Sequence, residues 1–266
     1  MPDYVHGYSQ RETTRLQDQA DALVNIIHGE AIFLPGSRIL EPGCGTGSQT
    51  ISLAANNPEA IITSMDVSSE SLEKAKSRTA HLSNVTFKQG DIYDLPFEDE
   101  SFDHVFVCFV LEHLKNPDKA LLELKRVLKT GGSITVVEGD HGSFYCHPHS
   151  EAAMQAVDCL IKSQALAGGN SLIGRELYPL LRKAGFTSSV VVPKIVYADD
   201  SKPELVEGFS KNTFTAMIEG VRETALELNL TDQATFDEGI RGLYRATEED
   251  GTFCYTFFRG TGWNES

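Results

Sequence analysis

Four groups of residues in this chain have types and spacing suited to chemistry. The first is the run Arg-Ile-Leu-Glu-Pro-Gly-Cys-Gly-Thr-Gly-Ser-Gln at 38–49, in which Glu41 precedes Gly43, Gly45 and Gly47, with Cys44 and Thr46 between them. Glycine tolerates positive φ and lets a ligand approach the backbone. A helix opening after such a turn offers free N–H groups and the positive end of its dipole. The run therefore reads as a nucleotide-type cradle at a strand–helix turn. The second group is Asp66, 19 residues beyond Gly47 (66 − 47) and followed by Val67. A carboxylate there can accept two hydrogen bonds from the vicinal hydroxyls of a ribose. Its other reading is a helix cap, although Ser68 and Ser69 already stand ready for that. The third group is Gly90-Asp91-Ile92: Asp91 suits the exocyclic amine of an adenine and Ile92 its ring face, while an Asp after Gly is otherwise an ordinary turn residue. The fourth is Glu138, Asp140 and His141. An imidazole titrates near neutral pH, so His141, with Glu138 beside it, is the candidate to take a proton from a phenol or similar hydroxyl. A hydrogen-bonded structural histidine is the alternative, and His113 is a second candidate.

These residues need a scaffold that brings successive strand ends together, and the apolar pattern supplies one. Ile39 and Leu40 end a first strand, Ile61 to Met65 form a second closed by Asp66, and Val85 to Gln89 a third. The run Phe102 to Val110, apolar apart from Asp103 and His104, reads as a strand buried on both faces, as in a parallel sheet. Ser133 to Val137 is a fifth strand, Phe186 to Val192 a sixth and Thr252 to Phe258 the last. Helices are expected between them: 9–28, opened by a Ser9/Glu12 capping box and stopped by Gly29; 49–55; one with Leu72 and Ala75 inward; one opened by Asn116-Pro117 and stopped by Gly131-Gly132; 151–167; and 172–184. Residues 203–247 read as mostly helical, with starts at Ser201 and Thr231. The fold class is α/β, a layered sandwich with a mostly parallel sheet and a helical cap.

The glycine run decides between three nucleotide cradles. A dinucleotide fingerprint needs G-x-G-x-x-G, and Ser48 occupies the third glycine's place. A P-loop needs a Gly-Lys pair, which is absent. The run E-x-G-x-G-x-G remains, and it resembles motif I of the class I S-adenosylmethionine-dependent methyltransferases. That cofactor has a cationic amino-acid end and no phosphate, so Glu41 helps where it would repel a pyrophosphate. The order E-P-G-C-G-T-G, Asp66, Gln-Gly-Asp-Ile, F-D-H-V, V-L-E-H-L and L-K-T-G-G-S-I extends the resemblance to the small-molecule, UbiE-like group over residues of about 10 to 140. The resemblance implies a Rossmann-like three-layer sandwich whose sheet is parallel except for a reversed last strand, and S-adenosyl-L-methionine as cofactor, with Gly43, Gly45 and Gly47 against it, Asp66 on its ribose, Asp91 on its adenine and Phe109 to Glu112 lining the sulfur. Cys44, Thr46, Val67, Gly90 and Ile92 complete that site. It implies methyl transfer to a small molecule through O, N or C; the alternatives are a catalytically silent binder of the cofactor or its demethylated product, and NAD-dependent hydride transfer.

Charge and composition narrow the partners. The 266 residues carry a net charge of −15. So acidic a surface disfavours nucleic acid and anionic membranes. No apolar run is long enough to span a bilayer, and Met1 to His6 has no signal-peptide pattern. The five cysteines are scattered, which predicts free thiols in a cytoplasmic protein, monomer or homodimer. His141, Cys146, His147 and His149 lack the paired spacing of a zinc site, and no metal is expected. Tyr4, Tyr8, Phe144 and Tyr145 are candidates for an aromatic wall around the acceptor, or for plain core packing. Residues 1–30 read as an arm and helix, either a lid that closes over the site, with Tyr8 and Arg15 touching the cofactor, or an arm packed on the body; Gln19 shares the helix face of Arg15, and a surface role is the other reading of both. Residues 31–199 and 251–266 are the expected core, and 200–250 an inserted substrate cap.

Overall fold

The computed structural model describes residues 23, 24 and 26–265. The expected Ser9/Glu12 cap, Tyr4, Tyr8, Arg15 and Gln19 lie outside the described residues. The chain runs β1 (Arg38–Pro42), α1 (Ser48–Asn56), β2 (Ile61–Asp66), α2 (Ser69–Arg78), β3 (Val85–Gln89) and β4 (Phe102–Cys108), then a 3₁₀ turn Leu111–His113, α3 (Pro117–Val127), β5 (Leu128–His147) and α4 (Glu151–Leu166). A second 3₁₀ turn, Ile173–Glu176, leads into α5 (Leu177–Lys183) and β6 (Thr187–Ala198). A helical stretch follows through Pro203–Leu205, Val206–Thr215, Ala216–Gly220 and Arg222–Glu227, then α6 (Gln233–Arg245) and β7 (Thr252–Trp263).

The seven strands form one sheet in the order β3-β2-β1-β4-β5-β7-β6. β1 to β5 pair in parallel. β7 lies antiparallel between β5 and β6. Alternate side chains of a strand enter opposite faces. Leu40, Val105 and Val107 accordingly meet Leu121, Leu124, Leu177 and Leu181 on one face. Ile39 and Phe106 meet Leu53 and α4 on the other. Burial on both faces accounts for the apolar run from Val105 to Cys108 in β4.

Several boundaries differ from the sequence reading. α3 ends at Val127, before Gly131-Gly132, because Leu128 is already paired with Phe102 of β4. β5 runs on to His147 because β7 pairs with it as far as Thr252. Asn116 occupies the cap position without a side-chain cap bond. Ser201 bonds Asp199 instead of capping a helix, which starts at Pro203. Asp232, not Thr231, caps α6 by accepting the Thr235 N–H at 2.9 Å. The segment Val206–Thr215 is wound as a π-helix, for which the apolar spacing gave no sign. Helix α4 packs on α6 closely enough that a Cβ at Gly239 would lie 2.5 Å from the Ala152 carbonyl. Helix 151–166 therefore joins the helices of the expected cap.

Candidate functional site

The glycine run leaves β1 and enters α1 through three left-handed residues, with φ of 70° at Gly43, 53° at Gly45 and 81° at Gly47. Neighbouring strand ends tie it down: Cys44 N–H donates to the Met65 carbonyl at 3.0 Å, and Gly45 N–H to Asp66 Oδ2 at 2.9 Å. A Cβ at Gly43 would sit 2.6 Å from Val110 Cγ2, and one at Gly47 3.1 Å from Ala75, but one at Gly45 would meet nothing within 4 Å. The loop is packed at its two ends and open in the middle. That opening fits a ligand laid against backbone.

Asp66 accepts a backbone N–H at each of its carboxylate oxygens. Its Oδ1 accepts the Ser68 N–H at 2.9 Å and its Oδ2 that of Gly45. Ser68 itself caps α2 by accepting the Ser71 N–H. Each carboxylate oxygen has a second lone pair, so a fixed Asp66 can still receive two hydroxyls. The Gly90 N–H donates to the Asp66 carbonyl at 3.1 Å, which brings the β3 loop alongside. Asp91 is exposed, with Oδ1 accepting the Tyr93 N–H at 2.9 Å, Ile92 is half-buried, and Val67 is 47% exposed. Asp66, Val67, Gly90, Asp91 and Ile92 thus gather at two adjoining strand ends.

Glu41 lies beneath the loop, not at its mouth. It is 2% exposed, and Oε2 accepts the Thr50 and Ser64 hydroxyls, each at 2.6 Å. Burial pushes its pKa up to about 7; the Asp66 charge adds to this and the two hydroxyls oppose it. Cys44 is buried, and burial raises its thiol. Sequence reasoning missed Arg78. From the last turn of α2 its Nη1 donates to the Thr46 carbonyl at 3.2 Å, to Thr46 Oγ1 at 3.1 Å and to Ser48 Oγ at 3.1 Å. A basic residue in a last helical turn is common for the helix's own sake, so nothing local marked it out.

The expected acid–base cluster is divided by the sheet. Residues three apart on a strand face opposite ways. Glu138, wholly buried, turns to one face, where Oε1 accepts the N–H groups of Val110 at 3.0 Å and Leu111 at 2.7 Å. Burial, and then the Glu112 charge, push its pKa well up. Asp140 shares that face and is held by Arg175 through Nε–Oδ2 and Nη2–Oδ1 contacts of 2.7 Å. His141 turns the other way, with Nδ1 2.8 Å from Tyr255 Oη. Glu138 is not beside His141 as a partner in proton transfer. Of the proposed aromatic wall, Phe144 belongs to a buried cluster with Phe209, Phe214, Phe253, Tyr255 and Phe257. Tyr145 is 56% exposed on the opposite face. Phe109 joins the cluster's edge 5.3 Å from Phe257, with φ at 58°. Among the described residues, no three His, Cys, Asp or Glu side chains gather as a metal site, and no helix is long and apolar enough to cross a membrane.

Comparison with known proteins places residues 40–136 in a family described as a methyltransferase domain. An uncharacterized 37.1 kDa protein from a Streptomyces fradiae transposon is 33% identical over 227 residues, 83% of this chain and 63% of that one. Demethylmenaquinone methyltransferase of Staphylococcus aureus is 42% identical over 104 residues, 39% of this chain and 43% of that one. The chain covers less than two thirds of either relative. In fold it is similar to phosphoethanolamine N-methyltransferase 2 of Haemonchus contortus, solved with S-adenosylhomocysteine, with a TM-score of 0.58 and 21% identity over 92% of this chain and 53% of that one.

Proposed function

We propose that this chain, whose residues 40–136 match a methyltransferase domain, is a class I S-adenosylmethionine-dependent methyltransferase that transfers a methyl group to a small-molecule acceptor. The observation that carries the reading is the open middle of the glycine loop at Gly45, whose N–H is bonded to the Asp66 carboxylate at the next strand end. Two carboxylates here, Glu41 and Asp66, suit a cationic ligand and would repel a pyrophosphate. Gly43, Gly45 and Gly47 would bear on the cofactor backbone-first, Asp66 would hold its ribose, and Asp91 and Ile92 its adenine.

When bound, S-adenosylmethionine would supply an electrophilic methyl carbon on cationic sulfur. The residues of the chain position the partners, exclude water and accept a proton where the acceptor must lose one. His141 is the group for that last task. Its Nδ1 lies 2.8 Å from Tyr255 Oη; in the tautomer that carries the proton on Nδ1, Nε2 would be the accepting atom. The helices of 200–250 and helix α4 would form the cap over the acceptor, and residues 1–30 the arm that closes the site.

Calorimetric titration with S-adenosylmethionine, S-adenosylhomocysteine and NAD tests the cofactor. Micromolar binding of the two adenosyl compounds, without NAD, is the expected result; binding of NAD alone would refute the reading. Label transfer from methyl-labelled cofactor across amine, phenol and carbon-acid acceptors then separates an enzyme from a silent binder.

A further inference from the structure

Three consecutive residues at the end of β4 lead into three parts of the molecule. Phe109 borders the aromatic cluster, 5.3 Å from Phe257. Val110 stands over the glycine loop, where its Cγ2 fills the space a Cβ at Gly43 would take. Leu111 is wholly buried in the core beside α3 and α5. The three are joined through a turn with Phe109 at φ 58°. A bulky residue keeps that left-handed conformation only where its surroundings hold it.

The holder is Glu138, on the neighbouring strand. Its Oε1 accepts both the Val110 and the Leu111 N–H, while Phe109 N–H donates to the Val137 carbonyl at 2.9 Å. Glu138 has no exposure, and among the described residues its Oε2 takes part in no hydrogen bond. A bare buried carboxyl oxygen is unfavourable. An apolar residue of similar volume would fill the space without that cost. Packing alone does not account for a carboxyl group at this point; the two backbone N–H groups do.

We propose that Glu138 is a positioning residue, whose carboxyl group clamps the left-handed turn Phe109–Leu111 so that Val110 bears on Gly43 and sets the shape of the cofactor loop. The proposal rests on the cofactor reading above. Glu138 acts through Val110 and takes no proton from the acceptor. Burial and the Glu112 charge favour its protonated form, with the backbone N–H groups of Leu111, Val110 and Glu112 opposing them; a glutamine imitates that form, with one oxygen left to accept the Val110 and Leu111 N–H groups and one donor in place of Oε2–H.

The test is calorimetric affinity for S-adenosylhomocysteine, with circular dichroism and thermal melting to confirm folding. Glu138→Gln is expected to bind within about threefold of the wild type, and Glu138→Leu to bind at least about tenfold more weakly while folded. Val110→Ala should weaken binding less, and adding it to Glu138→Leu should cost nothing more, because residues acting through one contact are not additive. Should Glu138→Leu fail to fold, Glu138→Asp, one methylene shorter, takes its place with the same expected loss. A folded Glu138→Leu (or, in its place, Glu138→Asp) that binds like the wild type, or full additivity with Val110→Ala, overturns the proposal. So does a Glu138→Gln that binds normally but loses turnover about a hundredfold, since that would make Glu138 a proton-transfer group. Absence of binding by the wild type would overturn the cofactor reading and this proposal with it, whereas the variant outcomes bear on Glu138 alone.

Discussion

The glycine loop and the aromatic cluster lie at neighbouring strand ends, and they are assembled in opposite ways. The loop side is drawn from residues 41–91 and joined by short polar contacts: backbone N–H to Asp66, hydroxyls to Glu41, a guanidinium to Thr46 and Ser48. It stays partly open, as Val67 and Asp91 are exposed. The aromatic side is drawn from residues 109, 144, 209, 214, 253, 255 and 257 and joined by ring contacts with almost no exposure apart from Phe109. The first region spends stability on conformations that suit a ligand. The second supplies packing that holds the helical stretch Val206–Thr215 to the sheet. The turn from Phe109 to Val110 touches both.

That contrast can be broken by experiment, beginning where the largest change is expected. Phe214 is 1% exposed among Phe144, Phe253 and Tyr255, and Phe214→Ala should destabilise the fold by about 3–5 kcal/mol in denaturant unfolding. Its affinity for S-adenosylhomocysteine at low temperature should hardly change; an equal loss of both would mean that the two regions are one unit. Gly45→Val puts a branched side chain at φ 53° in the open centre of the loop, and should cost about 1–3 kcal/mol in backbone strain as well as blocking the ligand. Unchanged affinity would show that the ligand lies elsewhere. Asp66→Ala should weaken binding by about 1–3 kcal/mol, the usual loss for charged hydrogen bonds, with smaller effects on the aromatic side as read by near-ultraviolet dichroism.

The smallest effect is a pH dependence. The pKa of Glu41 is raised from 4.5 to about 7, so between these values the folded chain holds a proton that the unfolded chain releases. Its contribution to stability is full below 4.5 and is lost as pH rises through about 7. Glu41→Gln should flatten that decline. A cationic cofactor favours the ionised carboxylate, so affinity for S-adenosylmethionine should rise across the same range in the wild type and not in the variant. An identical pH profile in both would exclude Glu41 from the effect.

The loop side was legible because its determinants are near neighbours in sequence. Three glycines at alternate positions, an acid before them and an acid at the next strand end give a pattern that one strand–helix–strand unit realises locally. Even there, depth was not readable. Glu41 was placed correctly along the chain, but whether its carboxylate faces the mouth or the floor depends on Thr50 and Ser64. Arg78 escaped notice because its partners are 30 and 32 residues away. On the other side, Glu138 and His141 looked like one cluster because only three positions separate them. Strand geometry sends them to opposite faces, and β5 proved to be strand throughout only because β7 returns to pair with it.

By itself the sequence determined the layered α/β architecture, the place of the glycine loop between β1 and α1, and a strongly acidic net charge. These follow from periodicity, backbone permissiveness and net charge, which are properties of short stretches or of the whole chain. Only the tertiary structure decided which carboxyl groups are buried, that Glu138 holds a backbone turn, and that aromatic residues more than a hundred positions apart form one cluster. Those depend on pairing between β5, β7 and β6 and on close packing of α4 against α6, contacts whose partners no local pattern names.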